Sequence, residues 1–321
     1  MHLRRERVKK PIAYILVLLA LGLASVLIRG LRPPTPNPPG TFSFGVMGDA
    51  PYNVLEEAQF RLVRQDLDAH DLTMVISVGD IFWRPCSDEM YLRARDQFNA
   101  LRHPVVYTPG DNEWFDCWEA GSGGYEPQER LRRLRRIFYT TPAQSLGGRK
   151  IPLVNQPDFI ENVRWTERSL VFATVHLIGS GNGRWQFPNR TEDDIAASKT
   201  RTEAAAAWVR ETFSAAQASN APAVVIAMQG APFDEEPKDR EPFEPFLTTL
   251  RVEAERFQRP VLIAHGDHHQ FQIDRQLGLA NLTRLEVPGS PDVGWVRVTV
   301  TPNAREPFAF EPHVIPRWKY W

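Results

Sequence analysis

Four apolar runs end on the same dipeptide: "FSFGVMGD" at Asp49, "LTMVISVGD" at Asp80, "VVYTPGD" at Asp111 and "VLIAHGD" at Asp267. One such ending is ordinary turn chemistry, with Gly relieving the backbone and Asp capping the next segment. Four of them point to a shared site. Clustered carboxylates repel and raise one another's pKa unless a cation neutralises them. Divalent ions in such a cluster can clamp a phosphoryl group and activate a water. "HGDHHQF" (His265–Phe271) sets three histidines beside Asp267, which favours a metal centre over the two carboxylates of a glycosidase.

The elements that must carry these residues can be read from spacing. Asp49 to Asp80 is 31 residues (80 − 49), and Asp80 to Asp111 is another 31 (111 − 80). That is the length of a βαβ unit, so the strands run parallel and their carboxyl ends share one edge, where ligands bind. Between them, Leu55, Phe60, Val63 and Leu67 recur at near-helical spacing, and "DEMYLRARDQFNALR" reads as a second helix. Glu126–Tyr139 is a helix with Leu131, Leu134 and Phe138 inward and its arginines outward, read as a solvated face. A hairpin turns at Glu167–Arg168, and an Ala-rich helix spans Asp193–Gln217. The strand "AVVIAMQG", a helix near Glu244–Phe257 and a strand at Val261–Ala264 come next. The tail ("FQID", "LTRLEV", "GWVRVTV") reads as antiparallel β. The whole predicts two packed sheets flanked by helices.

With "GDAP", "GDIF", "GDNE", "VVIAMQ" and "GDHH" in this order, the chain resembles the calcineurin-like metallophosphoesterases over nearly all of Phe42–Val300. The resemblance implies a four-layer α/β/β/α sandwich of two mixed sheets. It also implies a ligand set of Asp49, Asp80, Asp111, Asn112, Gln229, Asp267 and His269 around one or two divalent ions. Several positions depart from the family pattern. Pro51 stands where the family has a ligand His, Asp111 replaces the ligand Asn, and Asn112 replaces the catalytic His. Gln229 and Asp267 each stand in for a His. Such an oxygen-rich set favours Mn²⁺, Mg²⁺ or Ca²⁺ over Zn²⁺, with Fe also compatible. An Asn amide delivers no proton, so His176, near the end of a strand, is the candidate to replace the lost imidazole or else a satisfied strand histidine. His265 and His268 are candidate supporting groups. Asn182 and Arg184, on the loop "GSGNGRWQF" read as flexible, are candidate phosphate contacts, while Trp114 and Trp118 wall the mouth or pack the loop. His70, His103 and His313 read as surface or loop residues.

The implied reaction is hydrolysis of a phosphomonoester or phosphodiester, on a small molecule or a lipid, by hydroxide held on the metal. Two other readings share the fold: a degenerate, non-catalytic binding module and a structural single-metal domain. With 38 basic and 39 acidic residues the net charge is −1, which gives no push toward nucleic acid. The basic "HLRRERVKK" followed by the uncharged Pro11–Ile28 reads as a signal anchor over residues 1–28, with a cleaved signal peptide as the rival. Residues 29–40 are a Pro-rich linker and 41–321 the domain, placed on the non-cytoplasmic side of a membrane. Cys86 and Cys117 lie six residues past Asp80 and Asp111 respectively. On neighbouring parallel strands that offset allows a disulfide, the alternative being two free thiols.

Overall fold

The computed structural model describes residues 35–139 and 143–317. The anchor expected over Pro11–Ile28 lies outside the described residues, among which no helix is long and apolar enough to cross a membrane. The first sheet contains β1 (Phe42–Met47), β2 (Val75–Ser77), β3 (Pro104–Tyr107), β4 (Leu146–Gly147), β12 (Gly294–Val300) and β13 (Phe308–Val314). Its order is β13-β12-β1-β2-β3-β4. The second contains β5 (Val154–Gln156), β6 (Phe159–Glu167), β7 (Leu170–Thr174), β8 (Val224–Ala227), β9 (Val261–His265), β10 (Gln272–Arg275) and β11 (Leu282–Glu286). Its order is β10-β11-β9-β8-β7-β6-β5.

Alternation along the strands builds the layers. Phe42, Phe44 and Val46 face the second sheet and pack with Phe172, Val225, Leu262 and Val298 in the central core. The intervening Met47, Val75, Val105 and Trp295 face outward onto α1 (Val54–Ala69), α2 (Asp88–Asn99) and α3 (Pro127–Phe138). Val171, Val224, Ile226 and Ile263 face the other way, onto α4 (Glu192–Ala218) and α5 (Glu244–Phe257). The result is the α/β/β/α sandwich expected from the sequence. Each fully buried large apolar side chain contributes roughly 1.5–3 kcal/mol, so three such cores can carry strained loops at one edge.

Helix starts are fixed locally. Asn53 accepts from the backbone N–H groups of Leu55 and Glu56 (3.0 and 3.1 Å) to open α1. Thr191 and Asp194 form a reciprocal capping box on α4. β1, β2 and β3 are mutually parallel, as the 31-residue spacing requires.

The structure differs from the expected pattern in several places. "LTRLEV" pairs antiparallel with "FQID", as expected, but on its other side it pairs parallel with β9, because it extends the parallel half of the second sheet. "GWVRVTV" crosses to the first sheet and lies antiparallel beside β1, with β13, which has no counterpart among the strands expected from the sequence, on its other side. The arginine face of α3 is not wholly solvated: Arg130 is buried and donates to the Cys86 carbonyl (3.1 Å), and Arg135 clamps the buried Glu161 at 2.9 and 2.6 Å. His103 is buried against the Leu67 carbonyl. His70 and His313 are half-buried around Asp66, with His313 stacked on Trp295. The last residues of the Pro-rich stretch lie on the domain. Thr35 pairs with His70, and the Asn37 side-chain oxygen accepts from Ser43 and Arg297.

Candidate functional site

In two of the four Gly-Asp pairs the Gly makes room for a neighbour's carboxylate. A Cβ built on Gly266 would lie 2.1 Å from Asp49 Oδ2, and one on Gly110 would lie 1.9 Å from Asp80 Oδ1. Gly79, at φ +90°, lets the Gly110 backbone approach as closely. The aspartates themselves turn the chain: Asp49 and Asp80 sit at φ 53° and Asp267 at φ 82°. That left-handed backbone costs an L-residue roughly 1–2 kcal/mol, which Asp tolerates better than most. The turns bring the ends of β1, β2, β3, β8 and β9 together across both sheets.

Asp49 Oδ1 accepts from the Asp267 N–H (3.0 Å), whereas its Oδ2 is buried with no partner. Asp80 accepts from the Asn112 N–H at Oδ1 (3.3 Å) and, at Oδ2, from Tyr52 Oη (3.1 Å) and Gln229 Nε2 (3.3 Å). Ser180 Oγ donates to Asp111 Oδ2 (2.7 Å) and reaches Asp116 (3.3 Å). His269, with Nδ1 2.7 Å from the Ser290 carbonyl, keeps Nε2 3.4 Å from Tyr52 Oη and 3.9 Å from Asp49 Oδ1. Among the described residues none of the four aspartates pairs with a lysine or arginine. Two unit charges 4 Å apart repel by about 4 kcal/mol at an effective dielectric of 20. The set therefore holds either protons or a cation.

The carboxyl groups respond accordingly. Burial, followed by the charges of Asp111, Glu113, Asp49 and Asp267, holds Asp80 well above the usual range, and burial does the same to Asp49. Burial and Asp111 push Asp267 up to about 7, and burial pushes Glu113 to about 7. Asp116 rises to about 8 through burial and the charge of Asp111. In the unfolded chain these groups titrate near 4. The folded state therefore keeps protons that the unfolded state has lost, and stability falls as pH rises from about 4 through the folded values. In chelator, the thermal midpoint of the full chain is expected to fall between about pH 6.5 and 8, above the range in which the buried His103, His176 and His265, each lowered to about 4, raise stability with pH. Excess Mn²⁺ should flatten the upper part of that slope. A midpoint that rises across the interval in chelator would contradict this assignment.

The structure brings Asp49, Asp80, Asp111, Asp267 and His269 together with the Asn112 backbone at one edge. Gln229 reaches the same place, but as a donor. Its Oε1 accepts from the Gly179 N–H (2.6 Å), so its NH₂ group faces Asp80 and Asp267 (3.3 and 2.9 Å) and offers no lone pair to a metal. His176 is fully buried, with Nδ1 2.7 Å from Glu161 and its ring against Trp114. Burial lowers it to about 4 despite Glu161. It is thus a neutral imidazole donating to Glu161, with no hydrogen bond to the aspartates. His265 is equally buried, beside Phe233 and the Gly266 carbonyl.

The first half of "GSGNGRWQF", Gly179–Gly183, is buried. Ser180, Gly181 and Asn182 form a left-handed turn, and Asn182 points inward to Thr202 (2.7 Å) rather than to a ligand. Arg184 is engaged by Glu241 (2.8 Å). Trp114 is buried and Trp118 stacks on Phe187, so both pack the loop. Tyr52, Ser180 and Asp116 join the site without a sequence signal, since hydroxyls and an extra acid carry no diagnostic spacing. Glu113, part of "GDNE" but without an expected role, accepts from the Ile81 and Gly110 N–H groups (2.6 and 2.9 Å) and ties two acid-bearing loops together. Those loops are also joined by the expected disulfide, Cys86–Cys117, with Cα atoms 5.6 Å apart.

No family model matches the chain, and no curated protein matches it. Among solved structures it is similar to the 5'-nucleotidase from Candida albicans SC5314, at 12% identity and a TM-score of 0.43. The match covers 88% of this chain and 52% of that one, so the chain spans about half the length of that structure. The fold assignment rests on the two sheets and three cores themselves.

Proposed function

We propose that the chain is a metal-dependent phosphoesterase whose working edge is formed by Asp49, Asp80, Asp111, Asp267 and His269. The observation that carries this reading is four aspartates, from four strand ends, gathered with no lysine or arginine partner among the described residues and with Asp49 Oδ2 buried and unpaired. An oxygen-rich set with one imidazole suits one or two divalent ions of the Mn²⁺ or Mg²⁺ kind. Bound there, the metal supplies charge neutralisation for a phosphoryl group and lowers the pKa of water. Asp80, with contacts to the Asn112 N–H, Tyr52 and Gln229, is the central anchor of the set. Tyr52 keeps its proton on Oη, directed at Asp80 Oδ2, and orients that carboxylate. Ser180 does the same for Asp111. The Asn112 amide, half-buried at the mouth, is positioned as a hydrogen-bond donor to a phosphate oxygen. The substrate class is a phosphomonoester or phosphodiester.

The test is elemental analysis of the purified full chain beside a panel of aryl phosphomonoesters and phosphodiesters with added Mn²⁺ or Mg²⁺. Metal-dependent turnover supports the reading, and bound metal without turnover on any ester favours a binding module. One observation favours that second reading: the Gln229 NH₂ group already bridges Asp80 and Asp267, as a cation would. We further propose that the N-terminal run anchors the domain on the non-cytoplasmic side of a membrane. The supports are the uncharged Pro11–Ile28 with its basic flank and the disulfide. Full chain recovered as a soluble protein beginning near Ser25 would instead indicate signal cleavage.

A further inference from the structure

We propose a cation site on Glu235, Asp267 and His268, just outside the strand-end carboxylates and sharing Asp267 with them. The three residues each present a ligand atom, all within 4.8 Å of one another. They converge from two loops: Glu235 from the segment after β8, and Asp267 and His268 from the turn after β9. His268 Nε2 lies 3.2 Å from Glu235 Oε1. Two donors on one tetrahedral ion with bonds near 2.0–2.1 Å stand roughly 3.3 Å apart, close to this separation.

The neighbouring acids select this set over its rival. Asp234 and Glu286 also approach His268, but in that rival set Asp234 is already neutralised by Arg284. Glu235 has His268 as its sole hydrogen-bond partner among the described residues. Asp267 accepts from Gln229 at Oδ1 (2.9 Å) and from the Ala231 N–H at Oδ2 (3.3 Å). Each of those oxygens retains a second lone pair, so the carboxylate can bridge inward and outward at once. The Glu235 and His268 side chains are 26% and 34% exposed, which leaves the ion open to solvent and to an incoming anion. A nitrogen with two carboxylates suits Mn²⁺ or Zn²⁺.

This rests on the metal-dependent reading only through Asp267, and the experiment separates the two. Full chain stripped with chelator is dialysed against Mn²⁺, and bound ion is counted for the wild type, Glu235→Gln/His268→Asn and Asp80→Asn. The wild type is expected to bind one ion beyond those of the strand-end set, with an exchange-coupled electron paramagnetic resonance signal from the Asp267 bridge. Glu235→Gln/His268→Asn should bind one ion fewer and lose the coupling through Asp267, and Asp80→Asn should retain the outer ion. A wild type whose count and signal are unchanged by Glu235→Gln/His268→Asn overturns the outer site while leaving the strand-end reading intact. A wild type that binds no ion overturns both.

Discussion

Asp80→Asn is expected to reduce metal-dependent phosphoester turnover by about 10²–10³-fold, the scale of losing one charge-stabilising group from a preorganised site. Affinity for the strand-end ion should fall with it. Asparagine is a better probe than alanine here. The Asn112 N–H, Tyr52 Oη and Gln229 Nε2 all donate to Asp80, and removing the acceptor would leave buried donors at about 1–3 kcal/mol each. The amide keeps an acceptor while removing one of the repelling charges. Fold stability in chelator should therefore hold steady or rise while metal binding collapses. Lys199→Ala, on the solvent side of α4 with a 70% exposed side chain, should change neither. His313→Ala is no neutral control, because that ring hydrogen-bonds Asp66 (2.9 Å) and stacks on Trp295. Equal turnover and metal content in Asp80→Asn and wild type would remove the basis for a metal site at this edge.

Cys86→Ser/Cys117→Ser should lower folding stability by about 3–4 kcal/mol, the chain-entropy value for a loop of this length, which the sequence separation of 31 residues sets. The effect should not stop at stability. Cys86 sits six residues past Asp80 and Cys117 six past Asp111, so the bond fixes the spacing of the two loops that carry those acids. Glu113 provides the other tie, through the Ile81 and Gly110 N–H groups. Reduced wild type and the double variant should share a lower denaturation midpoint and a weaker metal affinity. If the oxidised and reduced chains unfold at the same denaturant concentration, the bond carries no such load.

Apolar runs and βαβ spacing make the sandwich readable, because the 31-residue steps announce parallel strands with helices between them. The equal offsets of Cys86 and Cys117 make the disulfide readable for the same reason. β13 escapes because "FAFEPHV" is half-exposed, carries Pro312 and borrows its stability from β12. The partner of β11 escapes because pairing between strands distant in sequence is decided by tertiary packing rather than by the strand's own pattern. At the site, residue type is legible and orientation is not. Gln229 does reach the edge, yet the Gly179 N–H turns its oxygen away from the carboxylates. His176 does lie near a strand end, yet Glu161 and Trp114 hold it in the interior. Such choices depend on groups far away in the chain.

Thr35 adds a consequence of another kind. It pairs with His70, at the foot of α1, whereas Asn53 at the head of that helix adjoins the acid edge. The 16 residues of α1 span about 24 Å at 1.5 Å per residue. The chain thus enters the fold at the pole opposite the carboxylates. Arg29 to Pro34, even fully extended, reach only about 20 Å, less than the helix they would have to pass. A domain held on a bilayer by residues 1–28 therefore turns its carboxylates toward the bulk. In the anchored reading, a headgroup in the anchoring leaflet lies behind the fold, while an ester diffusing past meets the open face first.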